Sequence, residues 1–178
     1  NEAGAGSLLV DDGTMTVGNG LAVDTLRVGH NAVTVDSNLT VNGGSVTIGN
    51  GTEDFYVGNR DVNVATTRTA TADFSAATAV TLNVVGNSPS SGNEGNDGTE
   101  TVDILTELQF GAGTNTLTTD TLTLGGQKSQ GEINIDAGGT LNIVGKSGAT
   151  VDATLGFNVT GSTGTNSFGR LDASGGTL

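Results

Sequence analysis

The chain has 178 residues and a formal net charge of −13 at pH 7, with 34% hydrophobic and 3% aromatic residues. Six Lys and Arg against 19 Asp and Glu leave no basic surface for phosphates, which excludes nucleic acid and anionic membranes as partners. No apolar run approaches the roughly 18 residues that span a bilayer, and the lack of Cys removes disulfides and thiolate chemistry.

The first half of the chain predicts short alternating strands that end in an apolar residue followed by Gly. This pattern occurs in TMTVGNG, TLRVGHN, SVTIGNG and DFYVGNR. Val28 and Ile48 lie about 20 residues apart, and Val17 and Val57 lie about twice as far apart, which is the scale of β-helix repeats. Tight turns such as residues 18–20, Gly-Asn-Gly, fill the gaps between strands. We therefore expect three strands per repeat of about 20 residues.

Two segments interrupt the repeat. Residues 65–79 are rich in Ala and Thr, and are predicted as either a coil of small residues or a short helix. Residues 86–99, GNSPSSGNEGNDGT, are polar and hold the only proline, Pro89. This second segment is expected to be a loop that projects from the repeats.

The second half carries regularly spaced aspartates, most of them just before a strand such as TLTLGG or TLNIVG. They are Asp103, Asp120, Asp136, Asp152 and Asp172. The spacing predicts an all-β fold, a right-handed parallel β-helix (β-solenoid) with about 20 residues per coil and about nine coils. Residues 1–178 would form one domain, a segment of a longer or self-assembling protein. An antiparallel sandwich or jelly roll is the alternative, and the repeated register and few aromatic residues favour the solenoid.

The stretches DTLRVGHNAVTVDSNLTVNGGSVTIGNG and DTLTLGGQKSQGEINIDAGGTLNIVG resemble the Gly-, Thr- and Asn-rich repeats of bacterial autotransporter passengers and related exported β-helix adhesins. The resemblance covers most of the chain and is compositional. It implies secretion, a β-helix and structural or adhesive work at the cell surface, with surface polysaccharide as a candidate partner. SNLTVNGGSVTIGNG is also similar to phage tail fibres, whose strands belong to three intertwined chains; a virion segment involved in host attachment is the alternative function.

Two features raise calcium as the one cofactor to consider. GNEGNDGTE, residues 92–100, partly matches a calcium-binding nonapeptide repeat and includes Asp97, but it occurs once, whereas such ions lie between consecutive copies. Asp120, Asp136 and Asp152 could stack into a carboxylate ladder whose repulsion a divalent cation relieves. The alternative is that these aspartates begin turns and face water, which requires no cofactor.

No pattern points to catalysis, and the chain is expected not to be an enzyme. His30 is the only histidine and lies between Gly29 and Asn31, as a turn residue does. A polysaccharide-active β-helix enzyme is the least favoured alternative. The active sites of such enzymes use paired carboxylates and aromatic rings that stack on sugars. The rings here are widely spaced, which is typical of core plugs or end caps.

Ice binding is a further candidate function, suggested by rows of threonine such as Thr116, Thr118, Thr121 and Thr123. Other strands carry Asn, Asp and Ser in place of a sustained Thr-x-Thr ladder. The preference of Thr for strands therefore accounts for these rows.

The ends of the sequence predict self-association. Solenoid coils contact only their neighbours, so terminal coils expose strand edges unless something covers them. Ser7–Val17 and Leu171–Leu178 contain no evident cap. The residues expected to mediate head-to-tail contact are Leu8, Leu9, Val10, Leu171, Gly175, Gly176 and Leu178. The expected function is that of a non-enzymatic extracellular structural or adhesive solenoid that assembles end to end.

Overall fold

The computed structural model describes residues 6–29, 36–52, 55–58, 68–84, 104–126, 129–157 and 168–178. Within these ranges the chain forms β-strands and a single 3₁₀ turn at Lys146–Gly148. The strands are β1 Ser7–Val10, β2 Gly13–Val17, β3 Leu21–Val23, β4 Thr25–Val28, β5 Ser37–Val41, β6 Ser45–Ile48, β7 Phe55–Val57, β8 Arg68–Phe74, β9 Ala79–Asn83, β10 Ile104–Phe110, β11 Thr114–Thr118, β12 Thr121–Gly126, β13 Ser129–Ile135, β14 Thr140–Val144, β15 Asp152–Phe157 and β16 Phe168–Asp172.

All the strand pairs of the described residues are parallel, and they form four sheets. Sheet 1 has the order β1-β4-β7, sheet 2 the order β16-β13-β10-β8-β5-β2, sheet 3 the order β14-β11-β9-β6-β3, and sheet 4 pairs β12 with β15. From β1 to β9 the chain visits sheets 1, 2 and 3 in turn, three times over. From β10 onward it visits sheets 2, 3 and 4 in turn. The all-β prediction with parallel sheets is therefore confirmed, and the antiparallel sandwich is wrong.

The interval between paired strands is more variable than the constant repeat that the sequence predicted. Ser7 pairs with Thr25, whereas Gln130 pairs with Phe168, an interval more than twice as long. Val28 and Ile48, whose spacing suggested the repeat, end β4 and β6, which belong to different sheets. The Val-Gly or Ile-Gly pattern thus marks the end of individual strands. Its spacing does not measure a full circuit, and the described strands of sheet 2 number six where about nine coils were predicted.

The turns predicted from glycine and asparagine are present where the strands end. Residues 18–20 join β2 to β3, and residues 42–44 join β5 to β6. Gly49 follows β6 with φ of 84°, a conformation that disfavours other residues. Any Cβ there would also collide with the Asn83 carbonyl oxygen of the strand stacked beside it. We call one circuit of three successive strands a rung. The backbone of one rung can therefore lie directly against the corner of the next.

Rows of apolar side chains from successive strands form one core cluster that includes residues of all four sheets. In sheet 2 the register aligns Phe74 with Phe110 through β8 and β10, and Phe110 with Ile135 through β10 and β13. Phe55, Phe74 and Phe110 are fully buried, which confirms the prediction that these rings plug the core. Phe168 is 45% exposed and differs from them.

Several sequence predictions can be placed on this fold. Of residues 65–79, Arg68–Phe74 form β8 and the helix alternative is wrong, because small Ala70 and Ala72 point inward while polar neighbours point outward. The predicted loop at residues 86–99 and His30 lie outside the described residues. Among the residues that are described, no helix has the length and apolar character to cross a bilayer.

Candidate functional site

Of the aspartates predicted as a ladder, Asp120 and Asp152 lie at one corner of the fold, where the backbone N–H of Asp152 donates to the Asp120 carbonyl at 2.9 Å, and Asp136 lies at another. Asp120 comes between β11 and β12, and Asp136 follows β13 on sheet 2. Asp152 pairs with Thr121, one position away from Asp120. The three carboxylates therefore do not form one row, because Asp136 follows a strand of a different sheet and Asp120 is offset by one position from Asp152.

The carboxylates of Asp120 and Asp136 accept hydrogen bonds from residues of neighbouring rungs. Asp120 Oδ1 accepts a hydrogen bond from the backbone N–H of Lys146 at 3.0 Å, and Asp136 Oδ1 accepts one from Gln109 Nε2 at 2.6 Å. Asp97, the remaining calcium candidate, lies outside the described residues. Across the described part of the chain, no three acidic, His or Cys side chains are grouped as metal ligands. One carboxylate oxygen of Asp120 and one of Asp136 are thus bonded to donors of the protein itself.

We expect calcium removal to leave the thermal stability of the protein unchanged. A ligand that binds only the folded chain would stabilise it by about 2.7 kcal/mol at 100 times its dissociation constant. Thermal unfolding with excess calcium and with chelator measures this directly. A higher melting temperature with calcium would contradict the expectation, and its disappearance in Asp120→Asn, but not in Asp11→Asn, would locate the ion.

The outer face of sheet 2 carries the charged side chains of the later rungs, and these are paired with one another. Asn134 Nδ2 donates to Glu107 Oε1 at 2.7 Å. Arg170 lies 3.8 Å from Glu132 and also contacts Asp172. Such exposed ion pairs contribute about 0–1 kcal/mol each. The described side chains of this face thus form a ladder of polar groups bonded to one another.

A cavity of about 250 Å³ lies beside β1, lined by Ser7, Leu8, Leu9, Thr25 and Arg27. The guanidinium of Arg27 lies over the Tyr56 ring at 5.7 Å, a cation–π distance. Within the described residues, β1 is the edge strand of sheet 1. The cavity is therefore a consequence of the open edge.

The residues predicted for self-association at the first rung divide between the two faces of β1. Val10 is buried in the row of Val28, and Leu8 is half-buried against the core. Leu9 points outward and is 56% exposed. Met15 in β2 occupies an inward position in register with Leu39, yet it is 37% exposed whereas Leu39 is fully buried. The inward side chains of this rung thus lack a neighbour on one side among the described residues.

In the last described rung, too, the inward apolar side chains lack a neighbour on one side. Leu171 extends the inward row of Ile133 and is half-buried, while Leu155 is 51% exposed although it pairs with buried Leu124. Leu178 follows Thr177, which bridges to Thr140, and is 61% exposed. An apolar surface with open strand edges therefore ends the described rungs on this side as well.

Gly175 and Gly176 were expected to allow close approach of another copy, but their close contacts are within the chain. The backbone N–H of Gly138 donates to the Gly175 carbonyl at 2.8 Å. A Cβ on Gly175 would lie 2.9 Å from the Ala137 nitrogen, and one on Gly176 would lie 2.6 Å from the Gly139 oxygen. These glycines fit the last turn onto the turn below it.

The outer face of sheet 3 carries rows of threonine that the sequence showed only in part, in Thr116 and Thr118. The register aligns Thr47 with Thr81, Thr81 with Thr116, and Thr114 with Thr140. We call the hydroxyl-bearing outward side chains of this sheet the hydroxyl face: Ser45, Thr47, Thr81, Thr114, Thr116, Thr118 and Thr140. Thr121 and Thr123, grouped with Thr116 in the sequence, belong to sheet 4. A search for rows at the true strand intervals, rather than along the sequence, would have found this face.

Comparisons of this chain with protein-family models, with curated proteins and with solved structures find no match. Its function therefore has to be argued from the surfaces described above.

Proposed function

We propose that the chain is a right-handed β-solenoid that serves as a non-enzymatic structural or adhesive element of an extracellular bacterial surface or matrix. The parallel pairing and the cyclic order of sheets support a solenoid. Because sheets 2 and 3 run through successive rungs, such a fold extends by adding rungs to these shared sheets. A passive, extensible rod suits structural or adhesive work.

The observation that carries the proposal is the match between the two ends of the described rungs. β2 is the edge of sheet 2 at the first rung, and β16 is its edge at the last. Both strands place apolar residues on the inward side, Met15 in β2 and Leu171 in β16. If β2 of a second copy continued the register of β16, Met15 would lie beside Leu171 and Thr14 beside Arg170. Apolar rows would then meet apolar rows, and both open edges would gain backbone hydrogen bonds.

A single-chain solenoid is favoured over the three-chain fibre of the alternative function because the described strand pairs close within one chain. β5, for example, has partners on both sides, β2 and β8, from the same chain. Rows of buried residues such as Leu39, Ala72 and Leu108 require no second chain to cover them.

We expect the purified native protein to associate end to end into filaments, and Met15→Lys to weaken this association. Burial of a Met side chain contributes about 1.5–3 kcal/mol, so its replacement by a charge should weaken each contact roughly tenfold to a hundredfold. Electron microscopy and native mass measurement over a concentration series report the filaments and their strength. The matched control is Thr16→Lys, which places the same charge on the outward face of the same strand, at the position that would lie beside Asp172 rather than beside Arg170.

Monodisperse particles with the 17.6 kDa mass of one chain at all concentrations would contradict the proposed association. A compact trimer that does not grow further would favour the virion-fibre alternative. Equal weakening by both variants would show that net charge, rather than the apolar end, controls assembly.

A further inference from the structure

The hydroxyl face of sheet 3 is free of charge on a strongly charged protein. Charged residues make up 14% of the chain, and the outer face of sheet 2 carries Asp73, Glu107, Glu132, Arg170 and Asp172. None of the outward side chains described for sheet 3 is charged; they are Ala22, Ser45, Thr47, Ala79, Thr81, Asn83, Thr114, Thr116, Thr118, Thr140, Asn142 and Val144. Solubility alone would be served by charges on either sheet, so their exclusion from one sheet requires another reason.

The hydroxyls of this face form a two-dimensional array. One row aligns Thr47, Thr81 and Thr116 across three neighbouring strands, and a second aligns Thr114 with Thr140. Neighbouring strands lie about 4.8 Å apart, and alternate residues along a strand are about 6.7 Å apart. Because the pairs are parallel and in register, the threonines within each row lie beside one another without a sideways shift.

The array is also rigid and unoccupied by the protein itself. Thr is β-branched, so its hydroxyl and methyl groups take few orientations on a strand. The hydroxyls of Thr47, Thr81 and Thr116 have no hydrogen-bond partner within the described part of the chain, in contrast to Thr78, whose hydroxyl donates to the Gly44 carbonyl at 3.0 Å. Thr47 and Thr81 are exposed and Thr116 is half-buried, so these groups bond to whatever covers the face.

We infer that the hydroxyl face binds the surface of crystalline water ice. A ligand that matches single hydroxyls repeated in two directions must itself be periodic and uncharged. Waters held by such hydroxyls cost little immobilisation entropy when the lattice already orders them, and the adjacent methyl groups exclude competing waters. Charged side chains would impose their own hydration on these waters, which explains why the face lacks them.

Crystalline polysaccharide is the other periodic and uncharged surface, and the composition of the face disfavours it. Sugar rings are recognised largely by stacking on aromatic side chains, and the described outward positions of sheet 3 carry none. The inference does not depend on end-to-end assembly, because the hydroxyl face runs along the side of the stacked rungs rather than at their ends.

The test measures the gap between the melting and freezing temperatures of a single ice crystal in a protein solution. It compares this gap for the full chain and for two matched double variants. Thr81→Lys with Thr116→Lys places charges at two register-paired positions of sheet 3. Thr16→Lys with Thr40→Lys places the same charges at two register-paired positions of sheet 2. Incorporation of each protein into a slowly growing ice front is the second readout. Far-UV circular dichroism and thermal unfolding establish that all three proteins are folded.

We expect the parent chain and the sheet 2 variant to open the gap and to enter the ice, and the sheet 3 variant to lose both properties. Thr81→Val with Thr116→Val, which keeps the side-chain shape but removes the hydroxyls, should reduce the gap without unfolding the chain. The inference is overturned if the parent chain shows neither the gap nor incorporation, or if both Lys variants lose them equally. It is also overturned if the parent binds insoluble cellulose or chitin through these threonines and shows no effect on ice.

Discussion

Replacement of Phe110 by Ala is expected to lower the free energy of unfolding by about 3–5 kcal/mol. Phe110 is fully buried and lies in the inward row of sheet 2, between Phe74 of β8 and Ile135 of β13. The neighbouring backbones are fixed by the parallel ladders on both sides, so the cavity left by the ring cannot close by a simple shift of a strand. The cost therefore includes lost burial and a persistent cavity.

Urea denaturation followed by circular dichroism measures this loss, with an unchanged m-value as evidence that the unfolded state is the same. Phe168→Ala is the matched control, because Phe168 is in the same sheet but 45% exposed, and it should cost about 1 kcal/mol. Similar losses from the two substitutions would show that the core does not depend on the stacked row.

The sequence predicted the local elements of this fold well because their causes are local. Val17, Val41 and Ile48 each end a strand, as the alternating pattern and the following turn residues indicated. The cyclic use of three strands was also predicted from those turns. Both features depend on residues within a few positions of one another.

The length of a circuit could not be predicted from the sequence, because corners tolerate insertions. Doubling a loop costs only about 0.6 kcal/mol of closure entropy, so intervals can vary while the stacked rows stay the same. Leu21 of β3 pairs with Val46 of β6, whereas Ser45 of β6 pairs with Ala79 of β9, which is a longer interval within the same sheet. A fixed interval of about 20 residues therefore places later strands in the wrong sheet.

The assumption of a constant interval also determined which surface residues were predicted to act together. Asp120 and Asp136 were grouped by a constant spacing, but they lie at different corners of the fold. Thr47, Thr81 and Thr116 were not grouped, because the intervals between them do not match that spacing, although the register aligns them. Long-range register, which is fixed by the buried rows, determines the composition of each outer face.

Asn115 is the polar exception in the inward row of sheet 3, where it lies between Val80 and Leu141 and is fully buried. Its Nδ2 donates to the carbonyl oxygens of Gly111, Gly113 and Thr140, each at 3.2 Å. Its Oδ1 has no hydrogen-bond partner among the described residues. The side chain thus acts purely as a donor, to two carbonyl oxygens of the corner before β11 and to one of β14, and leaves one unsatisfied oxygen.

Asn115→Asp is therefore expected to destabilise the protein by about 3–5 kcal/mol at neutral pH, because it buries an unpaired charge against three carbonyl oxygens. Burial and these oxygens raise the pKa of the introduced carboxyl in the folded state above its unfolded value near 3.9. The folded variant then binds more protons than the unfolded one, so its stability relative to the parent falls as the pH rises above about 4. Urea titrations of variant and parent at pH 3.5, 5 and 7 measure the difference at each pH.

The control for this charge is Asn142→Asp, on the exposed face of the neighbouring strand β14. Because water solvates a carboxylate at that position, the substitution should change stability by about 0.5 kcal/mol or less at every pH. A loss in Asn115→Asp that stays constant over the same pH range would contradict the prediction, since it would show that the introduced carboxyl keeps the same pKa in the folded and unfolded chains. The buried corner before β11 would then have opened to water, and the three carbonyl oxygens would not depend on the amide donor.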